Sequence, residues 1–197
     1  MDLTYRLKNF RSFEDTGALE LAPLTLLCGS NSSGKSSILK SMLLLRQSTE
    51  FRRARLLRDA PSQPLLFNGE LTRLGSWTDV VRGRVRERTV EMAWTAQGAL
   101  VEILNDADYS YRRRGNFKAD QSFDGSLEVA FRSRANAREE LSALLTSSKL
   151  TIDGATIFLT ESGLQDDEDP VYDLSIRGMG TVLSSDIAQQ LMANHRM

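Results

Sequence analysis

The chain has 197 residues, with 25 Lys and Arg against 26 Asp and Glu and a net charge of -1. That length suits one domain of ordinary size that needs no covalent staple, and a hydrophobic content of 41% excludes a disordered chain. The near-neutral total speaks neither for nor against nucleic acid; only local clusters of charge could. A lone cysteine, Cys28, excludes an internal disulfide. Asp2, Arg6 and Lys8 interrupt the apolar stretch a signal peptide needs, and no window reaches the roughly 18 apolar residues of a membrane span. A soluble, cytoplasmic protein with no membrane partner is expected.

Leu3-Thr4-Tyr5-Arg6-Leu7-Lys8 alternates apolar and polar residues, predicting a half-buried strand. Asn9–Phe13 follows, then an acidic turn at Glu14–Gly17 and a short return strand at Leu19–Leu21. After Pro23, Leu24–Cys28 has the apolar character of a strand buried on both faces, central in a parallel sheet. Directly behind it stands Gly29-Ser30-Asn31-Ser32-Ser33-Gly34-Lys35-Ser36. From Ser36, Ile38, Leu39, Met42, Leu43 and Leu45 recur at helical spacing, predicting a helix to about Ser48, with continuation through Phe51–Leu57 open.

Pro61 and Pro64 break the chain, and 65–83 reads as loop, with Asn68-Gly69 and Gly75. Beyond Gly83, strand-like stretches at 89–94, 99–104, 109–113 and 127–132 predict an antiparallel meander. Ala135–Ser148 has helical spacing through Ala137, Leu141, Leu144 and Leu145. Lys149–Ile152 and Ala155–Leu159 flank Asp153-Gly154, a hairpin signal. Gln165–Asp169 is an acidic loop, Val171–Arg177 a strand, and Ser184–Asn194 a last helix capped by Ser184 or Ser185. The chain divides into a P-loop core at 1–60, a loop segment at 61–83 and a β-rich subdomain with two helices at 84–197.

Gly29, Gly34, Lys35 and Ser36 complete the pattern G-x-x-x-x-G-K-[ST] between an apolar strand and a helix. The glycines let the backbone approach phosphates without a Cβ in the way. Amides of residues 30–37 can point at phosphate oxygens, Lys35 supplies charge to the β- and γ-phosphates, and Ser36 offers a hydroxyl to Mg²⁺. ATP and Mg²⁺ are therefore the expected cofactors, with Gly29, Ser30, Asn31, Ser32, Ser33, Gly34, Lys35, Ser36 and Ser37 as their site. The Asn31 side chain can bond a phosphate edge or the loop itself.

Leu7-Lys8-Asn9-Phe10-Arg11-Ser12-Phe13, the short return strand, and Pro23–Leu39 resemble the start of ABC-type ATPase heads, closest to the SMC/RecF-like and OLD-like AAA ATPases of prokaryotes. Leu43–Ser48 and Leu74–Asp79 resemble further pieces of the OLD-like branch. The resemblance is strong over 1–48 and patchy to about residue 83. It implies an α/β P-loop NTPase fold of ABC-ATPase-head type with an antiparallel β subdomain. It also implies that Lys8, Asn9, Arg11 and Ser12 touch base, ribose or phosphates. The competing reading makes Arg11 merely exposed and Phe10 and Phe13 core. Gln47 or Gln63 would stand for the family's metal-contacting glutamine. By the same resemblance, two or more copies assemble through the nucleotide site, beside a nuclease or other effector, in DNA metabolism or anti-phage defence.

The catalytic acid is not legible. Hydrolysis needs an apolar strand ending in Asp and Glu, whereas Ala155–Leu159 ends in Thr160-Glu161 and follows a hairpin turn. No signature segment is found, and the only histidine, His195, lies three residues from the end. The expectation is the N-terminal part of a longer ATPase that couples ATP binding and hydrolysis to assembly and control of an effector. The alternatives are a nucleotide-binding module without turnover and, behind it, a small P-loop kinase. An Asn-Lys-x-Asp guanine reader is missing, which sets a GTPase aside. Arginines cluster at 52, 53, 55 and 58, at 82, 84, 86 and 88, and at 112–114. They read as solvated faces or as a phosphate-binding surface for DNA. On a strand, the period-two cluster would face one side.

Overall fold

A computed structural model describes residues 2–31, 33–54, 65–99, 122–133, 142–165 and 169–178. The elements are β1 (Asp2–Phe10), β2 (Phe13–Asp15), β3 (Leu19–Leu21), α1 (Lys35–Ala54), β4 (Leu65–Leu66), α2 (Trp77–Val80), a 3₁₀ turn (Arg82–Arg84), β5 (Val90–Ala99), β6 (Ser122–Ser133), β7 (Ser142–Ile152), β8 (Ala155–Gln165) and β9 (Asp169–Arg177). The described strands form one nine-stranded sheet in the order β2-β1-β5-β6-β7-β8-β9, with β3 also on β1 and β4 on β7. Every described pairing is antiparallel.

Alternation along the strands decides which face is covered. Tyr5 lies opposite Trp94 and Leu7 opposite Met92, while Met92 and Val90 face Val129 and Phe131. These side chains form the core with Ile38 and Leu44 of α1 and with Phe67, Leu74, Trp77 and Val80 of the segment behind it. The Tyr5 and Trp94 rings stack with centroids 5.1 Å apart. The other face carries ion pairs at Arg6–Asp15, Lys8–Glu91 and Lys149–Glu128, which at such exposure add little stability.

Tyr5 Oη, fully buried, donates to Ser41 Oγ at 2.8 Å, and Ser41 Oγ donates to the Ile38 carbonyl at 2.6 Å. Burial pushes the phenol up to about 12, with the Ser41 bond opposing it. The protonated phenol is therefore favoured in the fold, so stability falls as pH rises from the unfolded value near 10 through the folded one. Alkaline titration followed by circular dichroism should show that loss between about pH 10 and 12, and Tyr5→Phe should remove most of the slope.

Several expectations are corrected. Leu24–Cys28 forms no strand, and Leu24 and Leu26 are 79% and 77% exposed. A strand apolar on both faces needs neighbours at both edges; here β1 is bordered by β5 on one side and by β2 and β3 on the other. No parallel ladder exists among the described residues. The helix expected over 135–148 is also overturned where it is described, since Ser142–Ile152 is strand β7, paired with β6 and β8. The strand carries a bulge: Ala130 pairs with Ser147 but Phe131 with Leu145. The extra residue, Thr146, breaks the alternation and bonds back to the Ala130 carbonyl at 2.9 Å. Of the second helix of that subdomain, Ser184–Asn194, and the strand at 109–113, nothing is described.

The loop expected over 65–83 is corrected too: it carries β4, α2 and the start of the 3₁₀ turn, with Phe67, Leu74, Trp77 and Val80 buried in the core. Other expectations fare better. The Asp153-Gly154 hairpin joins β7 to β8 with both turn residues at positive φ. The helix after the loop runs to Ala54, and the first strand, its return strand and the strand at Val171–Arg177 all form. Gln165 and Asp169 pair as the ends of β8 and β9.

Candidate functional site

The hairpin between β1 and β2 turns through two left-handed non-glycine residues, Asn9 (φ 54°) and Arg11 (φ 51°). Such conformations persist only where neighbours impose them. Asn9 Nδ2 donates to the Thr89 carbonyl at 3.0 Å, and the Arg11 amide donates to the Val80 carbonyl at 2.7 Å. Phe10, fully buried, bridges to Val81. The turn is thereby fixed between β5 and α2, with Phe13 directed at the phosphate-type loop.

Gly34 takes that contact. A Cβ there would lie 2.5 Å from Phe13 Cζ and 2.9 Å from Ser12 Oγ, at a backbone φ of 94°. Glycine is thus required both for the left-handed turn and for the close approach of the Arg11–Phe13 turn. The Gly34 carbonyl accepts the first helical bonds, from the Ser37 and Ile38 amides at 2.8 and 3.2 Å. The Lys35 and Ser36 amides, ahead of these bonds, have no carbonyl to reach within the helix, and the dipole of its 20 residues makes that end positive. Lys35 Nζ curls into the loop, donating to the carbonyls of Gly29 at 2.8 Å and Ser30 at 2.5 Å and lying 3.3 Å from Ser33 Oγ.

One cleft of about 470 Å³ joins these parts: Arg11 and Ser12 from the hairpin, Asn31 and Ser33–Ser37 from the loop and helix start, and Asp79 from α2. Of the expected site residues, Ser32 lies outside those described, and Gly29 and Ser30 contribute through the carbonyls that hold Lys35. Lys8 and Asn9 point elsewhere, to Glu91 on the outer face and to the Thr89 carbonyl. Of the two readings of the hairpin, Phe10 is core as the second has it, while Arg11 is not merely exposed: it lines the cleft and its Nε is buried without a hydrogen-bond partner.

Gln47 does not reach the cleft. It is 5% exposed, donating to the Leu66 carbonyl at 2.5 Å and accepting from the Thr72 amide at 2.9 Å. It ties α1 to the 65–72 segment, while Gln63 lies outside the described residues. Glu161 is committed to Arg132 of β6, whose Nε and Nη2 both donate to its carboxylate.

Asp79 is the residue that motif reading passed over. Its Oδ2 accepts from the Ser76 amide and hydroxyl, each at 3.0 Å, capping α2. These bonds, the amide's first, hold its carboxyl below the usual range against some burial, with Arg84 and Arg11 adding to the effect. The spacing Ser76-x-x-Asp79 behind Gly75 was the available signal. A neighbouring cavity of about 600 Å³ shares Arg11 and Asp79 with the cleft and continues to Leu74, Thr78 and Arg84.

The arginines at 82–88 do not lie on a strand. Gly83 and Arg84 adopt positive φ in a 3₁₀ turn; Arg82 pairs with Glu14 at 3.0 Å and Arg86 lies 3.5 Å from Ser133 Oγ. This disposes of one shared face for that cluster. Arg52 and Arg53 lie on α1, and the remaining clustered arginines at 55, 58 and 112–114 are outside the described residues.

Among the described residues no group of three or more His, Cys, Asp or Glu could hold a metal by itself, and no helix is long and apolar enough to cross a membrane. The profile of the AAA ATPase domain family matches residues 4–128. No curated protein matches the chain.

Proposed function

This chain is a member of the AAA ATPase domain family, and from that premise we propose that the cleft binds ATP with Mg²⁺ for hydrolysis. The observation that carries the reading is the meeting of Lys35, Ser36 and the α1 N-terminus with Arg11 in one cleft. The triphosphate lies along amides 30–37, with Lys35 turning from its own loop's carbonyls to the β- and γ-oxygens. The nucleoside extends past Arg11 into the cavity lined by Thr78, Asp79 and Arg84.

Ser36 Oγ would be a protein ligand to Mg²⁺, whose remaining ligands would be phosphate oxygens and water. The ion supplies charge neutralisation at the transferred phosphoryl group. Arg11 and Lys35 contribute positive charge to the phosphates. Asp79 keeps the hairpin wall in place through α2, whose Val80 carbonyl holds the Arg11 amide.

A second reading, binding without turnover, is favoured by one observation: no carboxylate of the described cleft is free to polarise water. Asp79, the only carboxylate lining that cleft, is used by Ser76, and Glu161 of β8, outside the cleft, is used by Arg132. The catalytic base of an active site would then come from another segment or another chain. The exposed Leu24 and Leu26 support such an addition, since a segment packed over them would bury both side chains. Assembly of two copies across the nucleotide face belongs to the same proposal. So do an SMC/OLD-like coupling to a nuclease or effector, DNA contact, and a role in DNA metabolism or anti-phage defence. All rest on the resemblance of Leu7–Phe13 and Gly29–Ser36.

The test is titration of a fluorescent ATP analogue with Mg²⁺. Arg11→Ala should weaken binding at least tenfold, the scale of one charge-assisted bond, while Lys8→Ala leaves it unchanged. Equal affinities for the two variants, or no saturable binding by the unmodified chain, would refute the placement.

A further inference from the structure

β9 ends the sheet, and among the described residues it pairs with β8 alone. Its register leaves Asp173, Ser175 and Arg177 exposed on one face, with Tyr172, Leu174 and Ile176 half-buried on the other. The strand is well anchored: Tyr172 Oη donates to the Leu145 carbonyl at 2.9 Å, and the Arg177 guanidinium lies 5.7 Å from the centre of the Phe158 ring. A free edge presents a row of backbone donors and acceptors, and natural edges are commonly guarded by charge. A guard works by repulsion. Here the two charges are of opposite sign, four residues apart on one face, an arrangement that attracts its own copy.

We propose that this edge pairs antiparallel with the β9 edge of a second copy of the chain, Ser175 lying opposite its counterpart. A two-fold axis normal to the sheet keeps each face continuous, so only residues of the same face can meet. With Ser175 on the axis, Asp173 meets Arg177 of the second copy, twice by symmetry, and Leu174 meets Ile176 on the covered face. Neighbouring registers lose this match. Centring on Asp173 opposes that carboxylate to itself, and centring on Leu174 or Ile176 leaves a charge opposite Ser175. The charge pattern thus selects one register. The interface is separate from the nucleotide cleft and independent of the reading given to that cleft.

Directly opposed residues in an antiparallel pair have Cα atoms about 4.5–5.5 Å apart, within disulfide range. Ser175→Cys in a Cys28→Ser background should therefore form a covalent dimer under mild oxidation, read on a non-reducing gel. Adding Asp173→Arg should weaken association about tenfold, by placing like charges opposite each other at two symmetric positions. Adding Arg177→Asp to that variant should restore the cross-link. Lys35→Ala should leave it intact. All substituted edge positions are solvent-exposed, and circular dichroism checks the fold. Absence of the cross-link, or a cross-link indifferent to the charge reversals, overturns the proposal.

Discussion

Lys35→Ala is expected to abolish saturable binding of an ATP analogue with Mg²⁺, with affinity falling about a hundredfold or more. The ammonium is the only lysine charge lining the described cleft, and it sits where the loop carbonyls of Gly29 and Ser30 already direct it, 2.8 and 2.5 Å away. Bonds from a cation to phosphate contribute about 1.5–3 kcal/mol each, and one ammonium can reach two phosphates. The substitution also unties the loop itself, since Lys35 spans it from inside. Turnover measured in parallel separates the functional readings. Hydrolysis by the unmodified chain that disappears in the variant would place the catalytic base within these residues. Binding without hydrolysis would agree with a base supplied from elsewhere. Retention of full affinity by Lys35→Ala would sink the assignment of the loop.

Trp77→Ala is expected to produce the largest loss of stability, about 3–5 kcal/mol in a urea titration. That is a large part of the 5–15 kcal/mol typical of a whole domain. Trp77 is fully buried, its ring lies 6.1 Å from that of Phe67, and its Nε1 donates to the Arg86 carbonyl at 3.0 Å. Truncation leaves a cavity and an unpaired carbonyl together. The effect reaches the cleft because α2 is only four residues long and holds both Asp79 and the Val80 carbonyl that fixes Arg11. Trp77→Phe should recover most of the packing and lose about 1 kcal/mol with the hydrogen bond. If Trp77→Ala were as stable as the parent, the core assigned to the 65–81 segment would be wrong.

The sequence by itself determined the loop, the helix behind it and most of the strands. Gly29, Gly34, Lys35 and Ser36 act through local spacing, and a helix start needs nothing distant to be recognised. The Asp153-Gly154 turn and the alternating strands around it follow from equally local rules. Tertiary structure decided the rest. The fate of Leu24–Cys28 depends on whether strands lie beside it, and composition cannot say whether they do. Leu141, Leu144 and Leu145 carry a helix-like spacing, yet pairing of β7 on both sides outweighs that local preference. Gln47 and Gly34 show the same limit at the site. Gln47 was one of two candidates for the glutamine that the resemblance implies, yet its amide is taken up by Leu66 and Thr72, residues that only the fold brings near. Gly34 was legible as a loop glycine, but the ring of Phe13 against it is a contact across 21 residues of chain. Local chemistry is written in neighbouring residues, whereas a site wall built from a hairpin, a loop and a short helix exists only once all three pack on one core.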